Sequence, residues 1–197
     1  MNHLAHVLLA GPRPQARLGA MLGDFWRGAP DPSWSHDVDA GVRLHRKIDV
    51  YTDSHPIVAD ARRLFDPPLR RYAGILIDVY FDHALARDWS NYADEPLAGL
   101  SAGVISQLAS SAAWLPTDLN RFATYMRRHG LFAAYAQRAV IVQVLAGIGA
   151  RLRHENPLAA AEPALWRHAT ALDAAFVGFF ADLRAESARL RARFGID

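Results

Sequence analysis

The sequence predicts an all-α chain, residues 1–197 folding as one single-domain helical bundle. Three observations carry that expectation. Leu165, Leu172, Phe176, Phe179, Phe180, Leu183 and Leu190 recur at three-to-four spacing, the mark of an amphipathic core helix. The stretch from Arg71 to Trp89 is apolar, continues as Ala84-Leu85-Ala86-Arg87 and shows no period-two alternation, so it reads as a helix. Its β-branched and aromatic content from Ile75 to Phe81 makes a strand the weaker alternative. Finally, no repeat, low-complexity tract or linker divides the chain into two domains.

Taken in order, residues 1–10 form a short apolar helix carrying Asn2, His3 and His6, interrupted by Pro12 and Pro14. A second helix spans about 15–23, followed by Gly23-Asp24-Phe25-Trp26-Arg27-Gly28 and a Pro/Trp loop. Ser35 or Asp37 caps the next helix, about 38–53, on which His45, Asp49, Thr52 and Asp53 share one polar stripe. Pro56 ends that helix or opens the next, about 57–65, and the Asp66-Pro67-Pro68 break leads into a long helix reaching about residue 92. Further helices fall near 97–111, 118–129 and 132–153, and the last spans about 158–193 after the breaks Asn156-Pro157 and Glu162-Pro163.

Composition narrows the function. The chain has no cysteine, which excludes disulfides, thiolate zinc sites and thiol nucleophiles. No apolar run reaches membrane-spanning length and the start lacks a signal-peptide pattern, so a cytoplasmic protein is expected. The formal charge is +2, which does not call for nucleic acid. Lys47 is the sole lysine among 22 cations. A GC-rich coding bias explains that first, but arginine also grips carboxylates and phosphates in a fork. Phosphate-binding glycine loops, a GxSxG elbow and RNA-binding aromatic motifs are absent.

Six of the nine histidines lie within the first 83 residues, beside Asp24, Asp49, Asp53, Asp78 and Asp82. Imidazole with carboxylate and no sulfur suits Mn2+, Mg2+, Fe2+ or Zn2+. His45/Asp49 and Asp78/Asp82 are i, i+4 pairs that converge if their helices pack together, with Asp24 and His6 completing the shell. Each has a plainer explanation. Asp49 and Asp53 sit near Arg46 and Lys47 as surface ion pairs do, His6 resembles a core histidine, and Asp24 a cap between glycines. Asp78 and Asp82 are hardest to dismiss, because charge among apolar neighbours is costly unless paired or bound to metal. The adjacent His36-Asp37 opens a helix and reads as capping, and His129, His154 and His168 as helix-end or surface residues.

Four motifs, in order and at matching separations, resemble the acyl carrier protein phosphodiesterases. They are Met1-Asn2-His3-Leu4-Ala5-His6, Gly23-Asp24-Phe25-x-Arg27-Gly28, Ala40-Gly41-x-x-Leu44-His45-Arg46-x-Ile48-Asp49-x-x-Thr52-Asp53, and Asp78-x-x-Phe81-Asp82-His83-x-Leu85-x-x-x-Trp89. The likeness thins after about residue 95; His3 departs from an aromatic usual there, and His55 is optional. It implies an all-helical, divergent HD-type metal hydrolase that uses manganese, with Mg2+ or Fe2+ as alternatives. Such an enzyme cleaves the phosphodiester joining 4′-phosphopantetheine to a serine of holo acyl carrier protein. Under that resemblance Asp24, His45, Asp78 and Asp82, with His6 behind them, hold the ion. Asp49 or His83 orients or deprotonates water, and Arg27 or Arg46 neutralises developing charge. An acidic carrier protein would dock on arginines such as Arg62, Arg63, Arg70 and Arg71, or Arg127 and Arg128. Two rivals stand beside this reading: a metal phosphohydrolase of nucleotides or other small diesters, and a non-catalytic helical protein that binds an acidic partner.

Overall fold

Capping and apolar periodicity write most of the helix boundaries. A computed structural model describes residues 2–197, and every regular element among them is helical. α1 (His3–Leu9) and α2 (Pro14–Leu22) are short, and Pro14 opens α2 at its first turn. α3 (His36–Ser54) begins at Ser35, whose hydroxyl accepts the Val38 amide at 3.3 Å. α4 (Pro56–Arg63) follows directly, and α5 (Ala73–Arg87) crosses the middle of the fold. α6 (Leu97–Ser110), α7 (Thr117–His129), α8 (Leu131–Ala134) and α9 (Arg138–Arg151) form the next layer, and α10 (Glu162–Arg167) and α11 (Ala169–Phe194) close the chain. The glycines ending α7 and α11 have positive φ, 55° at Gly130 and 69° at Gly195, the left-handed turn that stops a helix.

The core follows the predicted stripes. Leu172, Phe176, Phe179, Phe180, Leu183 and Leu190 of α11 are buried, and Phe81 of α5 packs on Phe176 and Phe179. α5 is helical through Ile75–Phe81, which settles the strand alternative. It ends at Arg87, short of the predicted residue 92, and a 3-10 turn at Trp89–Asn91 follows with the Trp89 indole donating to the Glu95 carbonyl at 2.7 Å. Two other expected helices are broken. The 132–153 segment turns at Tyr135, whose carbonyl accepts the His83 ring N–H at 2.8 Å. The 158–193 segment breaks at His168, and the ring of His168 packs edge-on against Phe65 at 5.5 Å. No helix of the described residues is long and apolar enough to cross a membrane.

α2 and α3 pass each other at a glycine contact. A Cβ on Gly19 would lie 2.2 Å from the Val38 carbonyl oxygen, and one on Gly41 would lie 2.2 Å from that of Ala16. Only glycine at both positions lets the two backbones meet. That closeness brings the end of α2, and Asp24 just beyond it, against the polar stripe of α3.

Candidate metal centre

His45 is 2% exposed and held at both ring nitrogens. Its Nδ1–H donates to the Ala20 carbonyl at 2.7 Å, which turns Nε2 toward two carboxylates. Nε2 lies 3.3 Å from Asp24 Oδ1 and 3.2 Å from Asp49 Oδ2. Asp49 reaches across with its other oxygen to His6 Nε2 at 3.1 Å, and the His6 and His45 rings stack at 3.7 Å. Asp24 is shared in the same way, its Oδ2 lying 3.1 Å from His3 Nδ1. Four elements thus supply one chain of alternating imidazoles and carboxylates: α1, the loop after α2, α3, and the α2 carbonyl that sets the tautomer.

Electrostatics divides the two buried rings. Burial opposes charge on His45, but its hydrogen bonds with Asp24 and Asp49 prevail and lift it to about 9. Burial first, then the neighbouring His45 charge, push His6 down to about 3, so it is neutral and able to donate a lone pair. Against the cost of burial, Asp24 is held far below the usual carboxylate range by His3 and His45, and Asp49 by His45 and His6. The cluster needs a cation. With Nδ1 committed to Ala20, a neutral His45 would aim its lone pair at two anionic oxygens, so a proton or a metal ion must lie between them. His6, His45 and Asp49 each offer a ligand atom, and these atoms lie within 4.8 Å of one another. Two neutral nitrogens and a carboxylate oxygen fit a borderline divalent ion, and Asp24 flanks the group.

The structure disperses some of the other expected site residues. Asp78, expected as a ligand, stands on α5 with its carboxyl raised by burial, and it is not among the residues whose ligand atoms group together. Asp82 is elsewhere. Fully buried, it accepts the α1 backbone amides of Leu4 at 2.9 Å and Ala5 at 3.2 Å, so both its oxygens cap a helix N-terminus instead of facing an ion. Burial dominates and carries it up to about 7 despite those amides. His83, expected to handle the water, points away; it donates to Tyr135 and packs edge-on against Trp166 at 5.0 Å. Arg46 is likewise committed, donating to the Gly28 and Trp26 carbonyls at 3.0 Å each, so it clamps the loop that carries Asp24 and does not reach toward substrate. Arg27 is exposed on that same loop.

Among the expected docking arginines, Arg62 is paired with Asp53 at 2.5 Å, Arg63 with Asp60, and Arg70 with the Phe65 and Arg63 carbonyls. Arg71 is exposed. His36 and Asp37 are not the caps expected of them: Ser35 caps α3, and the two are its first helical residues, with Asp37 an acidic group in the first turn. His3 was not singled out from the sequence. Its signal was the His3/His6 spacing of i, i+3, which puts both rings on one face of α1.

The family model described as acyl carrier protein phosphodiesterase matches residues 1–183. An acyl carrier protein phosphodiesterase of Photorhabdus laumondii is 34% identical over 183 residues, 91% of each chain. One from Pectobacterium atrosepticum is 38% identical over 146 residues, 74% of this chain and 76% of its own. One from Escherichia coli O157:H7 is 34% identical over 190 residues, 96% of this chain and 98% of its own. No solved structure matches. A cluster drawn from three of the four motif segments, within a match covering nearly the whole chain, places this protein in the acyl carrier protein phosphodiesterase family.

Proposed function

We propose that the chain hydrolyses the phosphodiester between 4′-phosphopantetheine and the serine of holo acyl carrier protein, giving the apo protein and 4′-phosphopantetheine. The observation that carries this is the His6–His45–Asp49 group with Asp24 at its flank, in a chain of this family. His6, His45, Asp49 and Asp24 would hold one divalent cation, manganese before magnesium or iron. Such an ion supplies Lewis-acid polarisation of a phosphoryl oxygen and of the attacking water.

The chain's own residues do the rest. Ala20 fixes the His45 tautomer, so Nε2 is the nitrogen presented to the centre. His3 steadies Asp24 from behind. Asp78 is the carboxylate whose raised basicity best suits taking the proton of the attacking water. Water oxygen bonds to phosphorus, the bond to the serine oxygen breaks, and that oxygen leaves with the proton that Asp78 took from the water. Arg27, on the exposed loop held by Arg46, offers a guanidinium to the phosphodiester anion.

The test is a mass measurement of holo carrier protein incubated with this protein and Mn2+. Loss of the arm is expected, with none in EDTA. Asp49→Ala and His45→Ala should each lower turnover by at least about 10³-fold, as removal of groups that act as a unit does. Carrier protein that keeps its arm with wild-type enzyme and Mn2+ would refute the reading.

A further inference from the structure

Beside the cluster the fold encloses a space that the hydrolytic residues do not use. A cavity of about 620 Å3 opens between the start of α1, the loop after α2, and helices α7, α8 and α9. That volume lies in the range of small-molecule sites, roughly 300–1,000 Å3. On the side nearest the cluster its wall is aromatic: the His3 ring lies 6.0 Å from Phe25 and 4.6 Å from Phe122, with Phe25 and Phe122 5.6 Å apart. His3 belongs to both places, since it lines the cavity while its Nδ1 contacts Asp24. Two other cavities, one against α6 and α7 and one beside Pro67 and Pro68, include no residue of the cluster.

The far wall is α9, and Gly147 stands in it. A glycine inside a helix costs stability relative to alanine, and here packing does not ask for one. A Cβ at Gly147 would meet no atom within 4 Å. Gly147 is exposed at this wall and lines the cavity, so a side chain added there meets open space beside it.

We propose that this cavity binds the pantetheine arm of the carrier-protein substrate, with the phosphate-proximal end against Phe25, His3 and Phe122 and the thiol end toward α9. This rests on the function proposed above. The arm is long, uncharged and half apolar, with two amides and a hydroxyl. It needs apolar and aromatic walls with a few polar groups; Asn2, Tyr125 and Gln143 supply those, and the lining also carries Asp118, Arg121 and Arg151. A phosphate held at the cluster leaves its attached arm adjacent to His3, and the cavity opens there.

Gly147→Leu sets a bulky side chain on the cavity wall with no clash at its Cβ and favours the helix. Binding of phosphate-free pantetheine to metal-free protein, followed by calorimetry, isolates the cavity from the centre. The wild type should bind it, and Gly147→Leu should bind on the order of tenfold more weakly or not at all. In the presence of Mn2+ the same variant should raise KM for holo carrier protein and leave hydrolysis of bis(p-nitrophenyl) phosphate, which has no arm, unchanged. Should that variant fail to fold, Val144→Phe, at the same wall, takes its place with the same expectations. Absence of pantetheine binding by the wild type, or equal binding and equal KM in the filled variant, overturns the assignment. Pantetheine bound by the wild type and lost in the variant, without any release of the arm from carrier protein, would instead sink the function reading and leave the cavity site standing.

Discussion

His45 is anchored through Nδ1 to a backbone carbonyl, and what remains of its chemistry is one nitrogen facing Asp24 and Asp49. Without metal that nitrogen keeps a proton up to about pH 9, because its two carboxylate partners outweigh burial. An incoming ion must displace this proton, while His6, pushed down to about 3, contributes no second one above pH 4. The apparent affinity for Mn2+ should therefore rise roughly tenfold per pH unit between pH 6 and 9 and then level off. Calorimetry in buffers of different ionisation enthalpy should count about one proton released per ion at pH 7.5. An affinity flat across that window would remove His45 from the ligand set. Asp82 predicts the opposite kind of defect. Asp82→Ala strands two buried α1 amides, at about 1–3 kcal/mol for each lost partner. A loss of roughly 2–6 kcal/mol, or a Tm lower by about 5–20 °C, is expected in the metal-free protein. Asp49→Ala, at a partly exposed residue, should abolish metal binding with little thermal cost. Equal melting of the two variants would show that Asp82 is no structural cap.

At the scale of elements, the site depends on how closely α2 and α3 approach. Gly41→Ala drives a methyl group into the Ala16 carbonyl, and Gly23→Ala drives one into the His45 ring, whose atoms lie 2.3–2.7 Å from the added Cβ. Overpacking of this kind costs about 1–3 kcal/mol. Gly41→Ala should lower stability and metal affinity together. Gly23→Ala should lower metal affinity more than stability, because a ring can swing where a backbone cannot. Thermal melts alongside metal titrations would separate the two patterns. Element pairing also explains what could be read without coordinates. Periodicity shows which residues share a stripe, so the His45/Asp49 pair, the core face of α11 and the helical state of α5 were legible. It does not show which neighbour a stripe will meet. Asp82 and His83 are adjacent, yet the first accepts the α1 amides and the second donates to the Tyr135 carbonyl. The breaks at Tyr135 and His168 were hidden for the same reason. No local proline or glycine marks either one, and the residues that occupy them are engaged by side chains far away in sequence. Arg46 looked like a catalytic cation because its carbonyl partners, Trp26 and Gly28, lie about twenty residues earlier on a different element.

Across the whole molecule the question is how a protein of formal charge +2 meets an acidic protein substrate. Net charge that small gives weak steering, so the placement of unpaired arginines decides the encounter. Arg62, Arg63 and Arg70 already hold carboxylates or carbonyls, which reduces their call on a partner. On α7, Arg128 follows Tyr125 by three residues and Arg121 by seven, so it shares the helix face that lines the arm cavity. Arg127 and Arg128 are both exposed. A carrier protein docked over that face would present its serine toward Asp24 while its arm enters beside His3. Electrostatic docking of this kind is screened over about 10 Å at 0.1 M salt. Raising salt from 50 to 500 mM should lower kcat/KM for holo carrier protein by roughly tenfold, and leave bis(p-nitrophenyl) phosphate nearly unaffected. Arg127→Glu with Arg128→Glu should reproduce most of that loss at low salt and flatten the remaining salt response, with hydrolysis of the small diester intact. A double variant as salt-sensitive as the wild type would move the docking face away from α7 and back toward Arg71.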